Sequence, residues 1–138
     1  MRERTVVYRD DDYDVEFVVR QATTSDGIKR QALMAEQWKA MPREAGAKTL
    51  VETWMPIRCY PALMVATVSV KNADGAKTKL TVPLPYAEFL ELPDALVTVW
   101  QGAVFEVNPH WVPELIAPKE EKQGEAPEPD SGSNSTSG

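Results

Sequence analysis

Two short runs of β-branched and aromatic residues open the chain, with a polar segment between them. The runs are Thr5 to Tyr8 and Val15 to Val19, and residues of these types pack well on a pleated surface. The segment between them, Asp10 to Asp12, is acidic and turn-prone. The pattern therefore predicts an N-terminal β-hairpin.

Apolar residues take up helical spacing after this hairpin. They recur every three or four positions at Ile28, Ala32, Ala35 and Trp38, with Leu33 and Met34 beside them. This spacing predicts an amphipathic helix with that stripe as its apolar face. Thr24 or Ser25 is the expected N-cap. Met41 is the expected end, because the residue before Pro42 is pushed away from helical dihedral angles.

The middle of the chain has a less decisive pattern. Lys48 to Met55 is typical of a short helix that ends at Pro56. In Tyr60 to Val70 the β-branched content favours a strand followed by a hairpin turn. Pro61 and Gly75, however, stand where a helix would begin and end. Periodicity alone leaves both alternatives open.

The strongest helical pattern lies near residue 100. Pro85 first opens a short helix that we expect to turn Phe89 and Leu90 inward. After the Leu-Pro-Asp step at 92–94, apolar residues share one face of about four turns: Leu96, Val97, Trp100, Val104 and Val107. Asn108 and the proline after it are expected to stop this helix.

The composition changes at Ala117, and this change defines the domain boundary. From there to Gly138 the only apolar side chains are Ala and Pro, and five acidic residues against two lysines give a net charge of −3. Such a segment buries too little surface to offset its ordering entropy. We therefore expect a domain over residues 1–116 and a disordered acidic tail over 117–138. The predicted fold class is α+β, with an N-terminal β-hairpin, a small, mainly helical domain and the disordered C-terminal tail.

Charge and composition also limit the partners. The chain has 138 residues, is 43% hydrophobic and carries a net charge of −6. Without a Lys/Arg cluster it is a poor match for a phosphate backbone, so no nucleic acid is expected. The sequence contains no apolar run of transmembrane length. Cys59 is the single cysteine, which excludes a disulfide within the chain and fits a reducing compartment.

Residues for catalysis or metal binding do not form recognisable sets. His110 and Cys59 are the only residues of their types, and no cysteine-hydrolase signature surrounds the thiol. Asp10 to Asp12 and Asp14 lack the glycine and the final acid of an EF-hand loop. We expect no enzyme activity, no metal and no cofactor.

The aromatic and methionine residues point instead to protein binding. Tryptophan and tyrosine dominate interface hot spots, and methionine adapts to varied surfaces. Trp100, on a regular helix face, is also expected in a core, whereas Trp54 and Trp111 lie near element ends, where an exposed role is equally compatible. The predicted partner-binding residues are Trp54, Met55, Tyr60, Met64, Trp100 and Trp111.

The order of these features resembles a known family. A strand that ends in Phe17 to Thr23 precedes a helix, and Tyr60 to Val70 closes on an Asp-Gly turn. A terminal block carries Leu-Pro-Asp, Trp100 and Asn108. From Val15 to Trp111 this arrangement is similar to the tail assembly chaperones of long-tailed bacteriophages.

The resemblance implies a partner and a place of action. Such chaperones coat the long, helical tape measure protein before the tail tube polymerises around it. Many also have a longer form, made by ribosomal frameshifting, that recruits tail tube protein. We accordingly expect action in the host cytoplasm, absence from the mature virion and a mainly helical fold, which favours a helix over 60–70. The apolar last helix also suggests a homo-oligomer. The alternative is a structural phage tail or head-tail connector protein.

Overall fold

A three-stranded antiparallel sheet forms the N-terminal part of the structure, a computed structural model that describes residues 1–41 and 50–113. Its strands are β1 (Glu3–Arg9), β2 (Asp14–Arg20) and β3 (Thr67–Asn72), in that spatial order. The predicted α+β class and N-terminal hairpin are confirmed, and the hairpin gains a third strand from the middle of the chain. The predicted tail over 117–138 lies outside the described residues.

The two faces of the sheet differ in burial. Val15, Phe17 and Val19 alternate along β2 and are all buried, because successive strand residues point to opposite faces. Glu16 and Val18, between them, are only partly covered. The core therefore lies on one face of the sheet.

Helices supply the other side of this core. They are α1 (Thr24–Ala40), α2 (Leu50–Thr53), a π-helical segment (Trp54–Cys59), α3 (Tyr60–Ala66), α4 (Tyr86–Phe89), α5 (Asp94–Val107) and a 3-10 turn (Pro109–Trp111). Helix α5 lies against β1 and β2, while α1 packs on α3 and the π-helical segment. The predicted α5 and its buried face are confirmed.

Trp100 lies at the centre of the core. Its ring stacks on Phe17 with centroids 4.5 Å apart, and Phe89 meets it edge-on at 6.2 Å. The indole N–H donates to the Thr67 hydroxyl at 2.9 Å, so the buried ring also satisfies its one polar group. This side chain thereby joins α5 to β2 and to the start of β3.

The central segment combines both alternatives that the sequence left open. Tyr60–Ala66 is helical, with Pro61 in its first turn as expected, and Thr67–Asn72 is a strand. The expectation of a helix over all of 60–70 is therefore wrong beyond Ala66. Its β-branched second half finds backbone partners along the free edge of β2.

The helix before this segment does not end at Pro56. It continues as the π-helical segment, in which the Tyr60 N–H donates to the carbonyl of Met55, five residues earlier. A proline inside an α-helix clashes with the carbonyl four residues before it, and the wider turn accommodates the ring. The expected start of that helix, at Lys48, lies outside the described residues.

Helix α1 begins one residue earlier than expected. Thr23 is the N-cap, and its hydroxyl accepts from the Asp26 N–H at 3.2 Å while the Asp26 carboxylate accepts from the Thr23 N–H at 3.0 Å. This reciprocal pair favours Thr23 over Thr24 or Ser25. At the other end Met41 is extended, as predicted from the following proline.

The predicted apolar stripe of α1 lies largely at the surface, whereas the apolar face of a helix in a globular protein usually faces the core. Ile28 is 64% exposed and Trp38 is 54% exposed, and the two alanines between them are exposed as well. The partly covered side carries Arg30, Leu33, Met34 and Gln37. These residues also repeat at helical spacing, and the alkyl stems of long polar side chains cover apolar surface.

Helix α4 is a single turn and buries one of the two residues expected to face inward. Phe89 is buried, whereas Leu90 is 53% exposed. Leu90 is the C-cap residue after α4 and lies at the surface, so the expectation for Leu90 is wrong.

The end of α5 is fastened by a buried side chain. The amide N–H₂ of Asn108 donates to the carbonyls of Arg20 and Val104, and its oxygen accepts from the Ala22 N–H at 2.8 Å. The sequence predicted the stop from the residue's tolerance of a helix-cap conformation. Its side chain in addition ties the end of α5 to the end of β2.

Candidate partner-binding surface

The six residues predicted to bind a partner divide into two groups. Four of them lie in the core, where they contact other core residues: Tyr60, Met64, Trp100 and Trp111. Trp54 and Met55 are only partly covered. A buried side chain offers little area to a partner, so the four core residues hold the fold together here, and their contact with a partner stays a prediction.

Trp54 lies where the π-helical segment meets α5. Its ring is tilted against Phe105, with centroids 5.5 Å apart. Both rings are partly exposed, so this aromatic pair lies at the border between core and surface. Of the predicted residues, Trp54 and Met55 remain the ones positioned for contact from outside.

A larger apolar surface lies on α1. Ile28, Ala32, Ala35 and Trp38, here called the α1 stripe, follow one another at intervals of four, three and three residues. The stripe extends about 15 Å along the helix axis, from the 1.5 Å rise per residue. Helix-in-groove interfaces use apolar anchors at this spacing. The sequence identified these residues as one stripe, but spacing alone does not tell which side of a helix is covered.

A cavity of about 420 Å³ opens at the Ile28 end of the α1 stripe. Its walls come from the start of α1 and from the 3-10 turn after α5, and include Thr23, Gly27, Ile28, Arg30, His110 and Trp111. Asn108 holds these two parts of the chain together, since it bonds to Ala22 immediately before the α1 cap. The cavity therefore lies at the junction between α1 and α5, which this hydrogen bond holds in place.

Arg30 gives the cavity wall its positive charge. The guanidinium lies over the Trp111 ring at 4.7 Å from the centroid, within cation–π distance. One terminal N–H₂ group lies 3.1 Å from the sulfur of Met34, and the buried Nε has no hydrogen-bond partner. Burial lowers the pKa of Arg30, and the nearby charge of Arg58 lowers it further. Nothing in the sequence points to this residue, because a single arginine in a helix carries no motif.

Cys59 and the acidic turn have structural roles in this fold. The Cys59 thiol is buried and lies 3.1 Å from the side-chain oxygen of Gln101, and burial raises its pKa to about 12. Asp10 closes the β1–β2 turn by accepting from the N–H groups of Asp12 and Tyr13. Asp14 pairs with Arg9. These contacts give the side chains of Cys59, Asp10 and Asp14 structural roles.

The described residues, 1–41 and 50–113, contain neither a metal-binding cluster nor a helix that could span a membrane. Within these ranges no three His, Cys, Asp or Glu residues come together as a metal site. No helix there has both the length and the apolar content of a bilayer span.

No protein-family model, curated protein or solved structure matches this chain. We therefore infer its function from the surface of α1 and from the sequence motifs themselves.

Proposed function

We propose that this protein is a tail assembly chaperone of a long-tailed bacteriophage. It binds amphipathic helices of the tape measure protein and keeps that protein soluble until the tail tube polymerises. The α1 stripe carries the proposal, because a helix that presents Ile28 and Trp38 to solvent has an apolar face without a partner in the described structure. The resemblance of the sequence motifs to these chaperones supports the tape measure protein as the partner.

The chemistry of the stripe suits this task. A partner helix laid along α1 would place an apolar residue on the stripe every three or four positions. A short stripe gives weak individual sites, and many copies on one long chain share the work through avidity. Since apolar contact carries the binding, salt changes it little. The net charge of −6 favours the solubility of unoccupied copies.

The proposed function includes two later steps of tail assembly, the recruitment of tail tube protein and the release of the chaperone. A longer frameshifted form would bring tail tube protein to the coated tape measure. The chaperone would then leave, in the host cytoplasm, and be absent from the mature virion.

Co-expression with the neighbouring long helical protein tests the docking surface. The double variant Ile28→Ala/Trp38→Ala should lose most of the co-purified tape measure protein. Leu90→Ala removes a similarly exposed apolar side chain just after α4 and should retain the tape measure protein. If the tape measure protein is equally insoluble with and without this chain, or if the double variant co-purifies it unchanged, the proposal is wrong.

Purified particles separate the proposal from its alternative. A structural tail or head-tail connector protein would be found in the virion at fixed stoichiometry. Mass spectrometry of purified virions should find this chain absent. Its stoichiometric presence would replace the chaperone by a structural role.

A further inference from the structure

The α1 stripe and the cavity beside it form one continuous surface. Ile28 belongs to both, as the first residue of the stripe and as part of the cavity wall. A helix bound along the stripe would therefore extend over the cavity mouth at one end. A side chain of that helix at the cavity mouth would lie near Arg30, which is part of the cavity wall.

Arg30 is poorly satisfied in the absence of a ligand. Its buried Nε has no hydrogen-bond partner, and an unsatisfied buried donor is costly. The three ion pairs found in the described part of the chain involve other arginines. The charge of Arg58 adds like-charge repulsion. An anion in the cavity would offset this like-charge repulsion.

The shape of the cavity wall favours a carboxylate. The guanidinium lies over the Trp111 ring at 4.7 Å, and contact with that ring restricts its orientation. A planar guanidinium fork matches the two oxygens of a carboxylate. The site is a local positive spot on a chain whose net charge is −6.

We propose that this cavity binds the carboxylate of a Glu or Asp side chain on the partner helix that occupies the α1 stripe. This inference rests on the proposed function and adds a selection rule to it. The stripe accepts apolar anchors of many sequences, whereas Arg30 selects the helices that carry an acid one turn beyond those anchors. The acid also fixes the register of the bound helix.

Acetate tests the cavity separately from the stripe. The Nε–H signal of Arg30, assigned by its loss in Arg30→Lys, is followed by NMR in the full-length protein during titration with sodium acetate. A saturable shift that sodium chloride at equal ionic strength does not produce is expected. Identical responses to the two salts would overturn the carboxylate site.

A matched peptide pair tests the selection rule. Both peptides are amphipathic helices with leucines at every third or fourth position, and one carries Glu a turn beyond the anchors at each end where the other carries Gln. The Glu peptide should bind about tenfold more tightly, which corresponds to roughly 1.4 kcal/mol. Arg30→Gln should remove this difference and leave binding of the Gln peptide unchanged.

Control variants separate this inference from the proposed function. Lys29→Gln removes one positive charge from an exposed neighbour on α1 and should preserve the preference for Glu. Ile28→Ala/Trp38→Ala should weaken both peptides equally. Equal binding of the two peptides to the unmodified protein would overturn the carboxylate site and leave docking on the stripe intact. No binding of either peptide would overturn both.

Discussion

Asp26 is buried at the start of α1, where it accepts from the Thr23 N–H and pairs with Arg20 at 3.2 Å. Burial raises the pKa of this carboxyl, but the hydrogen bonds with Thr23 and the charge of Arg20 outweigh burial and lower it. Asp26→Asn should lower the free energy of unfolding at pH 7 by about 1–2 kcal/mol through the weakened cap.

The pH dependence of this difference has a definite sign. A carboxyl with a lowered folded pKa stabilises the protein above its unfolded pKa of about 3.9, and the stabilisation is lost as pH falls through the folded pKa. Urea denaturation of both proteins at pH 7 and at pH 3 checks this. A gap that stays constant over this range would show that the ionised carboxylate contributes nothing.

The Cys59 thiol should be inert in the native protein. With its pKa raised to about 12, it holds almost no thiolate at pH 8, and the thiolate is the reactive form. Alkylation by iodoacetamide should be on the order of a thousandfold slower than in the protein unfolded by guanidinium. Mass spectrometry of timed samples measures both rates, and similar rates would place the thiol at the surface.

Trp100 and Trp38 offer a matched pair of tryptophans. Trp100→Ala should cost about 3–5 kcal/mol, because it leaves a cavity beside Phe17. Trp38→Ala should change stability by about 0.5 kcal/mol or less, because the side chain is already exposed. Urea denaturation compares the two, and equal losses would contradict the orientation of α1.

At the scale of elements, the sequence predicts which segments are helical better than which side they bury. The α5 face was correct because its apolar residues coincide with the covered side. For α1 two stripes share the helical period, and the covered one contains Arg30 and Gln37. Hydrophobicity scales count Arg and Gln as polar, although the alkyl stems of such side chains pack against apolar surface. The cavity depends on which side of α1 is covered and on the position of the 3-10 turn after α5 beside α1. The sequence therefore did not reveal it.

The junction between Ala66 and Thr67 shows a second limit. A helix and a strand meet there without a loop. Local preference favours a strand in the second half of the segment, but the pairing that decides it comes from β2, far away in the sequence. The π-helical passage around Pro56 likewise depends on continuation into α3, which the proline itself does not signal.

Asn108 links two of these elements, and its removal tests the link. Asn108→Ala would leave the Ala22 N–H and the Arg20 carbonyl without their partner. A cost of about 2–3 kcal/mol is expected. Gln21→Ala, a neighbouring change at an exposed position, should cost little. Thermal unfolding of the two variants measures the difference, and equal midpoints would show that the link is dispensable.

For the whole molecule, the core is built from residues between Val6 and Trp111. Deletion of residues 117–138 should leave the thermal midpoint unchanged, because that segment offers only Ala and Pro as apolar side chains. Calorimetry of the full-length and shortened proteins makes the comparison. A loss of several degrees on deletion would mean that the segment contributes to stability.

The contact between Ala22 and Asn108 joins residues 86 positions apart, and this separation affects folding during synthesis on the ribosome. At about 5–20 residues per second, the ribosome needs about 4–17 s to travel from one to the other. During that interval β1 and β2 have been made, but the helix that covers them has not. The nascent hairpin exposes the side of Phe17 that Trp100 later covers. Native folding is therefore completed only after α5 is synthesised. If the ribosome stalls before α5, the nascent chain has an incomplete sheet with an exposed apolar face.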